Sequence, residues 1–135
     1  MGTQVVLVND VPRVRNMLCA ILEDAGYTLS QARDVAIGLD ALRASTEACV
    51  VLFNQGIANE GMALLQAAAS DLAVGRHAFV LLTAYPEGLA LTWRPLLQSL
   101  RVPIIAKPFD LDTLLRVVAD AAARAGVHGG RPLSP

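Results

Sequence analysis

Val5-Val6-Leu7-Val8-Asn9-Asp10-Val11-Pro12 is the stretch that decides the architecture. Its four apolar residues follow one another with no polar residue between them. Such a run reads as a strand covered on both faces, because a strand with one wet face would alternate. Asn9 and Asp10 end the run, and Pro12 has the fixed φ that suits a first helical turn. Val14, Met17, Leu18, Ile21 and Leu22 then recur at helical spacing, and Gly26 is placed to stop that helix. A doubly covered strand running straight into an amphipathic helix is the opening of a βαβ unit.

The same alternation continues along the chain. Tyr27 to Ala32 reads as a second strand. Asp34 is positioned to cap a second helix carrying Ile37, Leu39 and Leu42, although Gly38 lowers its propensity. Cys49 to Phe53 is a third strand, followed by a polar loop from Asn54 to Gly61. Met62 to Leu72 is an alanine-rich helix. Phe79 to Leu82 is the fourth strand, ending at Thr83, and Val102 to Ala106 is the fifth, ending at Lys107. Asp110 is placed to cap the last helix, whose Leu111, Leu114, Leu115, Val118 and Ala122 form a stripe. Asp112/Arg116 and Asp120/Arg124 are opposite charges one turn apart on its other side. Between strands four and five, Pro86, Gly88 and Pro95 leave room only for a short helix, Trp93 to Leu100. A proline in mid-helix would cost about 3 kcal/mol. Five apolar strands alternating with helices predict a doubly wound parallel α/β sheet. The domain is expected over residues 4–125. Gly129-Gly130 and Pro132 mark residues 126–135 as a frayed end or flexible linker.

Composition limits the function classes. The 135 residues are 54% hydrophobic but only 4% aromatic, so the core is aliphatic and suits one domain. The formal net charge of −1 gives no broad basic surface for nucleic acid or an anionic membrane. No segment approaches the roughly twenty apolar residues that span a bilayer, and the N-terminus has no secretory pattern. Cys19 and Cys49 lack a CxxC spacing and read as buried reduced thiols, which fits a cytoplasmic location. The serines sit in no G-x-S-x-G elbow, so a hydrolase is not indicated. His77 and His128 have no sequence partners for a metal site or a triad, and surface positions are expected for both. Trp93, the lone tryptophan, is expected to pack against the domain.

In open α/β sheets the reactive site lies beyond the carboxyl ends of the strands. That rule selects Asn9, Asp10, Asn54, Thr83 and Lys107. With Val50-Val51-Leu52-Phe53-Asn54, Leu81-Leu82-Thr83-Ala84 and Ile104-Ile105-Ala106-Lys107-Pro108-Phe109 added to the opening stretch, the chain resembles the receiver domain of two-component response regulators. The resemblance covers about residues 4–125 and implies the flavodoxin-like strand order 2-1-3-4-5. It also implies roles. The acid pair that helps hold magnesium matches Asn9-Asp10, and the phosphoacceptor aspartate matches Asn54. The hydroxyl that reports on the phosphoryl group matches Thr83, the pairing lysine matches Lys107, and the switch aromatic matches Ile104.

Asn54, Asn9 and Ile104 therefore depart from the family pattern within one mechanism, and the loop before Gly61 is one residue shorter than usual. An acyl phosphate forms by attack of a carboxylate oxygen on phosphorus; an amide oxygen is neutral and far less nucleophilic. Neither Asp10 nor Glu60 obviously replaces the acceptor. Magnesium prefers carboxylate oxygens, so with Asp10 alone its binding is expected to be weak or absent, and no cofactor is expected. The expectation is a non-enzymatic, phosphorylation-independent pseudo-receiver acting through protein contact. Its partner would be a histidine kinase, a regulator or an effector domain. A homodimer through the face of helix four, strand five and helix five is also compatible. Two alternatives stand beside it. One is a small-ligand or nucleotide binder of flavodoxin-like fold, against which the glycine-free Asn9-Asp10-Val11-Pro12 turn argues. The other is a conventional receiver whose acceptor was mutated to asparagine.

Overall fold

The computed structural model describes residues 3–9, 11–54, 60–84 and 93–128. Five strands form one parallel sheet: β1 (Gln4–Val8), β2 (Thr28–Ala32), β3 (Val50–Asn54), β4 (Ala78–Thr83) and β5 (Ile104–Ala106). Their order is β2-β1-β3-β4-β5, all neighbours parallel, which is the flavodoxin-like order expected from the sequence. The central strands are the apolar runs, because only they are covered from both sides; Val50 to Asn54 and Ala78 to Thr83 are buried throughout.

Alternation along each strand divides the core in two. Val5, Leu7, Val50, Leu52, Val80 and Leu82 face one side and pack on α1 (Pro12–Asp24) through Leu18 and Leu22. Leu114, Val118, Ala121 and Ala125 of the last helix, α5 (Leu111–His128), close the same side. Val6, Val8, Val51, Phe53, Phe79 and Leu81 face the other, under α2 (Val35–Ala44), α3 (Glu60–Ser70) and α4 (Trp93–Ser99). Phe53 and Phe79 meet edge to face there, ring centroids 6.2 Å apart.

Local chemistry explains the element ends. Asp34 Oδ1 accepts from Ile37 N–H at 2.9 Å, and Asp110 Oδ1 accepts from Thr113 N–H at 2.7 Å. Gly26 follows α1 with φ 101°, where a side chain would be strained. Gly38 has a reason to sit mid-helix: a Cβ there would come 3.0 Å from Val8 Cγ2, so its absence lets α2 lie close on β1. Pro95 is the third residue of α4, in the first turn, where its missing N–H has no intrahelical acceptor to lose. Trp93 is 8% exposed, packed on the α3 side of the core.

Several boundaries differ from the sequence reading. The helix expected over Met62 to Leu72 runs Glu60–Ser70 and then breaks, because Asp71 caps a separate single turn, Leu72–Gly75, by accepting from Ala73 N–H at 2.9 Å. Strand β5 is shorter than Val102 to Ala106. Strand β3 contains Asn54 instead of stopping before it, since Asn54 still pairs with Leu82. Helix α5 continues to His128, and residues 129–135 of the expected tail lie outside the described residues. His77, expected at the surface, is buried at 5% exposure. Its Nδ1 accepts the Cys49 backbone N–H at 2.9 Å, and its Nε2 lies 3.1 Å from the Leu42 carbonyl. Those two partners become neighbours only when α2 and β3 are folded against β4.

Candidate crevice at the carboxyl edge of the sheet

The register brings the selected residues to one edge. Val8 pairs with Phe53, so Asn9 and Asn54 are the next residues on adjacent strands, about 4.8 Å apart along the ladder direction. Asn54 pairs with Leu82, one residue before Thr83, and Thr83 pairs with Ala106, one residue before Lys107. The Lys107 N–H donates to the Thr83 carbonyl at 2.8 Å, which carries the ladder past the end of β5. The Lys107–Pro108 peptide is cis.

Alternation then sorts the side chains. Asn9, Asn54 and Lys107 continue the rows of Leu7, Leu52 and Ile105, on the face of α1 and α5. Thr83 continues the row of Leu81 on the opposite face; across the ladder Thr83 pairs with Ala106 and Leu81 with Ile104. Thr83 is 1% exposed and Asn54 4%, while Ile104 is 41% exposed. Thr83 and Ile104 therefore share a face, and Asn9, Asn54 and Lys107 share the other. Asp10 and the loop 55–59 lie outside the described residues.

Asn9 is wholly buried and its amide is used in an unusual way. Its backbone N–H donates to the Ala32 carbonyl at 3.0 Å. Its carbonyl accepts from Arg15 Nη1 at 2.8 Å, and Arg15 Nε donates to Gln31 Oε1 at 3.1 Å. Its side-chain Oδ1 accepts from the Val11 N–H at 2.8 Å, an Asx turn that shapes the entry to α1 where Val11 supplies no side-chain cap. That leaves Nδ2, a buried donor with no acceptor. Leaving such a group unsatisfied costs about 1–3 kcal/mol. Asn9 thus offers this edge a donor, because its oxygen is already engaged. The residue type at position 9 was legible in the sequence; which of its two atoms is committed was not.

Magnesium takes oxygen ligands and few others, and the side-chain oxygen of Asn9 is taken by Val11. Among the described residues, no group of three or more His, Cys, Asp or Glu side chains is placed to hold a metal ion. Beside the crevice, Lys107, Pro108, Phe109 and Leu111 form a groove of about 330 Å³ with Val14, Met17 and Ile21 of α1. A second groove of about 490 Å³ lies between α4 and α5 over β5, with Ile104 in its floor and Arg101, Asp120 and Arg124 at its rim.

The two cysteines are free and buried, and burial pushes both thiols up, so neither is an activated nucleophile. No helix among the described residues is long and apolar enough to cross a membrane.

No protein-family model and no curated protein matches the chain. Solved structures do. A CheY-like response regulator receiver domain protein from Methanospirillum hungatei JF-1 superposes with a TM-score of 0.77 at 19% identity, over 96% of this chain and 100% of that one. The signal receiver domain of an HD domain-containing protein from Pseudomonas fluorescens Pf-5 gives 0.77 at 20% identity, over 94% and 99%. The chemotaxis response regulator CheY4 of Vibrio cholerae gives 0.73 at 20% identity, over 90% and 99%. With β2-β1-β3-β4-β5 order and two-sided helical cover, the chain has the fold of response regulator receiver domains.

Proposed function

We propose that this chain is a receiver-like signalling module of the two-component type that works by protein contact without forming an acyl phosphate. The observation that carries the reading is the residue at the end of β3. Asn54, which the resemblance matches to the acceptor, is buried there on the same face as Asn9 and Lys107, and is an amide. The nucleophile of receiver chemistry is a carboxylate oxygen whose charge a metal and a lysine offset. At this edge both β1 and β3 end in amides, so acceptor and metal ligand are altered together. That pairing favours a naturally altered site over a conventional receiver with one mutated acceptor.

Contact is proposed through the groove between α4, β5 and α5, either with a kinase, regulator or effector domain or with a second copy. Its floor is apolar, and its rim carries charges of both signs. Mixed charge around an apolar centre is the usual make-up of a specific, reversible interface.

Incubation with acetyl phosphate, read by intact mass, tests the proposal. The chain as it stands is expected to gain nothing. The double variant Asn9→Asp with Asn54→Asp is expected to gain one phosphoryl group in a magnesium-dependent manner. A stoichiometric gain by the unaltered chain would overturn the reading.

A further inference from the structure

We infer that His77 is a proton-operated latch on the loop between α2 and β3: acid releases that loop from the Cys49 thiol beneath it while the sheet stays folded. The inference does not rest on the reading of Asn54. It gives the chain an input at the opposite edge of the sheet.

One imidazole closes the loop at both ends. His77 immediately precedes β4. Its Nδ1 accepts the Cys49 N–H at 2.9 Å, where the loop enters β3. Its Nε2 lies 3.1 Å from the carbonyl of Leu42, in the last turn of α2. Between these points Arg76 donates to the Ser45 carbonyl. The loop in turn covers Cys49: Ser45 Oγ lies 3.2 Å from its Sγ, and the Glu47 carbonyl 3.4 Å. The thiol is buried completely under them.

This arrangement suits only the neutral ring. Accepting from Cys49 at Nδ1 fixes the tautomer with its proton on Nε2, aimed at the Leu42 carbonyl. A second proton can bind only at Nδ1, where it removes the acceptor of the Cys49 N–H. A buried donor without an acceptor is costly, and so is a buried imidazolium beside the Arg76 guanidinium. Both costs are relieved once the loop lifts and water reaches the ring.

The charges that the surrounding elements bring here are few. Arg43 of α2 is bridged to Asp71 at 3.1 Å, and Glu47 of the loop is exposed. Burial first, together with Arg76, outweighs the Leu42 and Ala73 backbone groups and holds the ring below its ordinary 6.5. The open loop therefore binds the proton more readily than the closed one. Opening grows as pH falls below 6.5, by about tenfold per pH unit at most. Two contacts survive that step. The Ala73 N–H, then Arg43, hold the Asp71 carboxyl below its ordinary 3.8, so the bridge to α2 is intact where release begins. The Ala78 N–H still donates to the Cys49 carbonyl at 2.9 Å, so β3 stays paired with β4.

Dithiodipyridine, which keeps its reactivity in acid, is the probe. A protein thiol displaces one half of its S–S bond, forming a mixed disulfide and releasing thiopyridone, which takes the thiol proton. Cys19 is the internal reference, because burial pushes both thiols up and both lose thiolate alike as pH falls. The Cys49-to-Cys19 labelling ratio, read by peptide mass after brief exposure, is expected to rise about fivefold or more from pH 7.5 to 5.5. Far-UV circular dichroism should not change over that range. His77→Gln keeps an acceptor and a donor and cannot be charged, so its ratio should stay flat. A constant ratio in the unaltered chain would overturn the inference, as would an equal rise in His77→Gln or a concurrent loss of helix signal. If His77→Gln does not fold, amide exchange in the unaltered chain decides. Corrected for intrinsic rate, Cys49 exchange must gain on Val51 exchange over the same range, and no gain refutes the latch.

Discussion

The two ends of the sheet bury polar groups in opposite ways. At the amino edge His77 has both ring nitrogens engaged, one by the Cys49 N–H and one by the Leu42 carbonyl. Around it, Ser45 Oγ is bonded to the Glu47 carbonyl and lies 3.2 Å from Cys49 Sγ, and Arg76 donates to the Ser45 carbonyl. At the carboxyl edge Asn9 is buried more deeply still, yet one of its two side-chain polar atoms is left over. A satisfied buried network fixes one arrangement of the chain; an incomplete one carries a cost that a ligand can relieve. The amino edge is therefore a structural joint, and the carboxyl edge is the place to seek binding.

That contrast can be broken most forcefully at His77. Replacing it with alanine strands the Cys49 N–H and the Leu42 carbonyl and opens a cavity. A loss of about 3 kcal/mol in urea unfolding is expected. A loss below about 1 kcal/mol would mean that the joint is not a joint.

Acid should reach the same contact reversibly. Burial, with the nearby Arg76 charge adding to it, holds the His77 imidazole below its ordinary value of 6.5, against the opposing hydrogen bond to Leu42. The folded state thus binds this proton less readily than the unfolded state. Stability is fully present above pH 6.5, and it falls as pH drops below that value toward the lowered folded value. The slope approaches about 1.4 kcal/mol per pH unit. A second Nδ1 proton would also point at the Cys49 N–H, donor against donor. His77→Phe should flatten the dependence between pH 7 and 5, so an unchanged slope in that variant would assign it elsewhere.

The smallest effect belongs to the other edge. Asn9→Ala removes the orphan donor together with the bond to Val11. Val11 is 43% exposed and its bond to Asn9 is only partly buried, so its freed N–H is expected to turn to water. The carbonyl bond to Arg15 belongs to the backbone and survives. A change below about 1 kcal/mol is expected, well under that of His77→Ala although Asn9 is the more deeply buried. Equal losses at the two positions would erase the distinction.

The fold was legible because its signals are local. Uninterrupted apolar runs, Asp34, Asp110 and Gly26 each act within a turn of the chain, and together they located all five strands; their order in the sheet came from the resemblance. The carboxyl-edge residues were legible for the same reason, as each ends a run. What escaped was tertiary. His77 sits beside a charged arginine in sequence, and its partners lie 28 and 35 residues away. Asp71 was missed as a cap because the alanine-rich pattern runs straight through it, although an Asp before a fresh turn is itself a local signal. The orientation of Asn9 depends on the path of Val11, which no composition rule encodes.

Arg101 gives the last helix a further property. It closes α4 in the left-handed region at φ 56°, its N–H bonded to the Gln98 carbonyl at 3.1 Å and the next N–H, of Val102, to Leu97 at 2.9 Å. The carbonyl of that same residue accepts from Arg124 Nη1 at 2.8 Å. Helix α5 thus starts just beyond Lys107 and Asp110 and, about 20 Å further along its axis, holds the end of α4 by a single backbone carbonyl. The long helix thereby ties the sheet edge at its start to the turn that closes α4 near its far end, one stay spanning two corners of the domain.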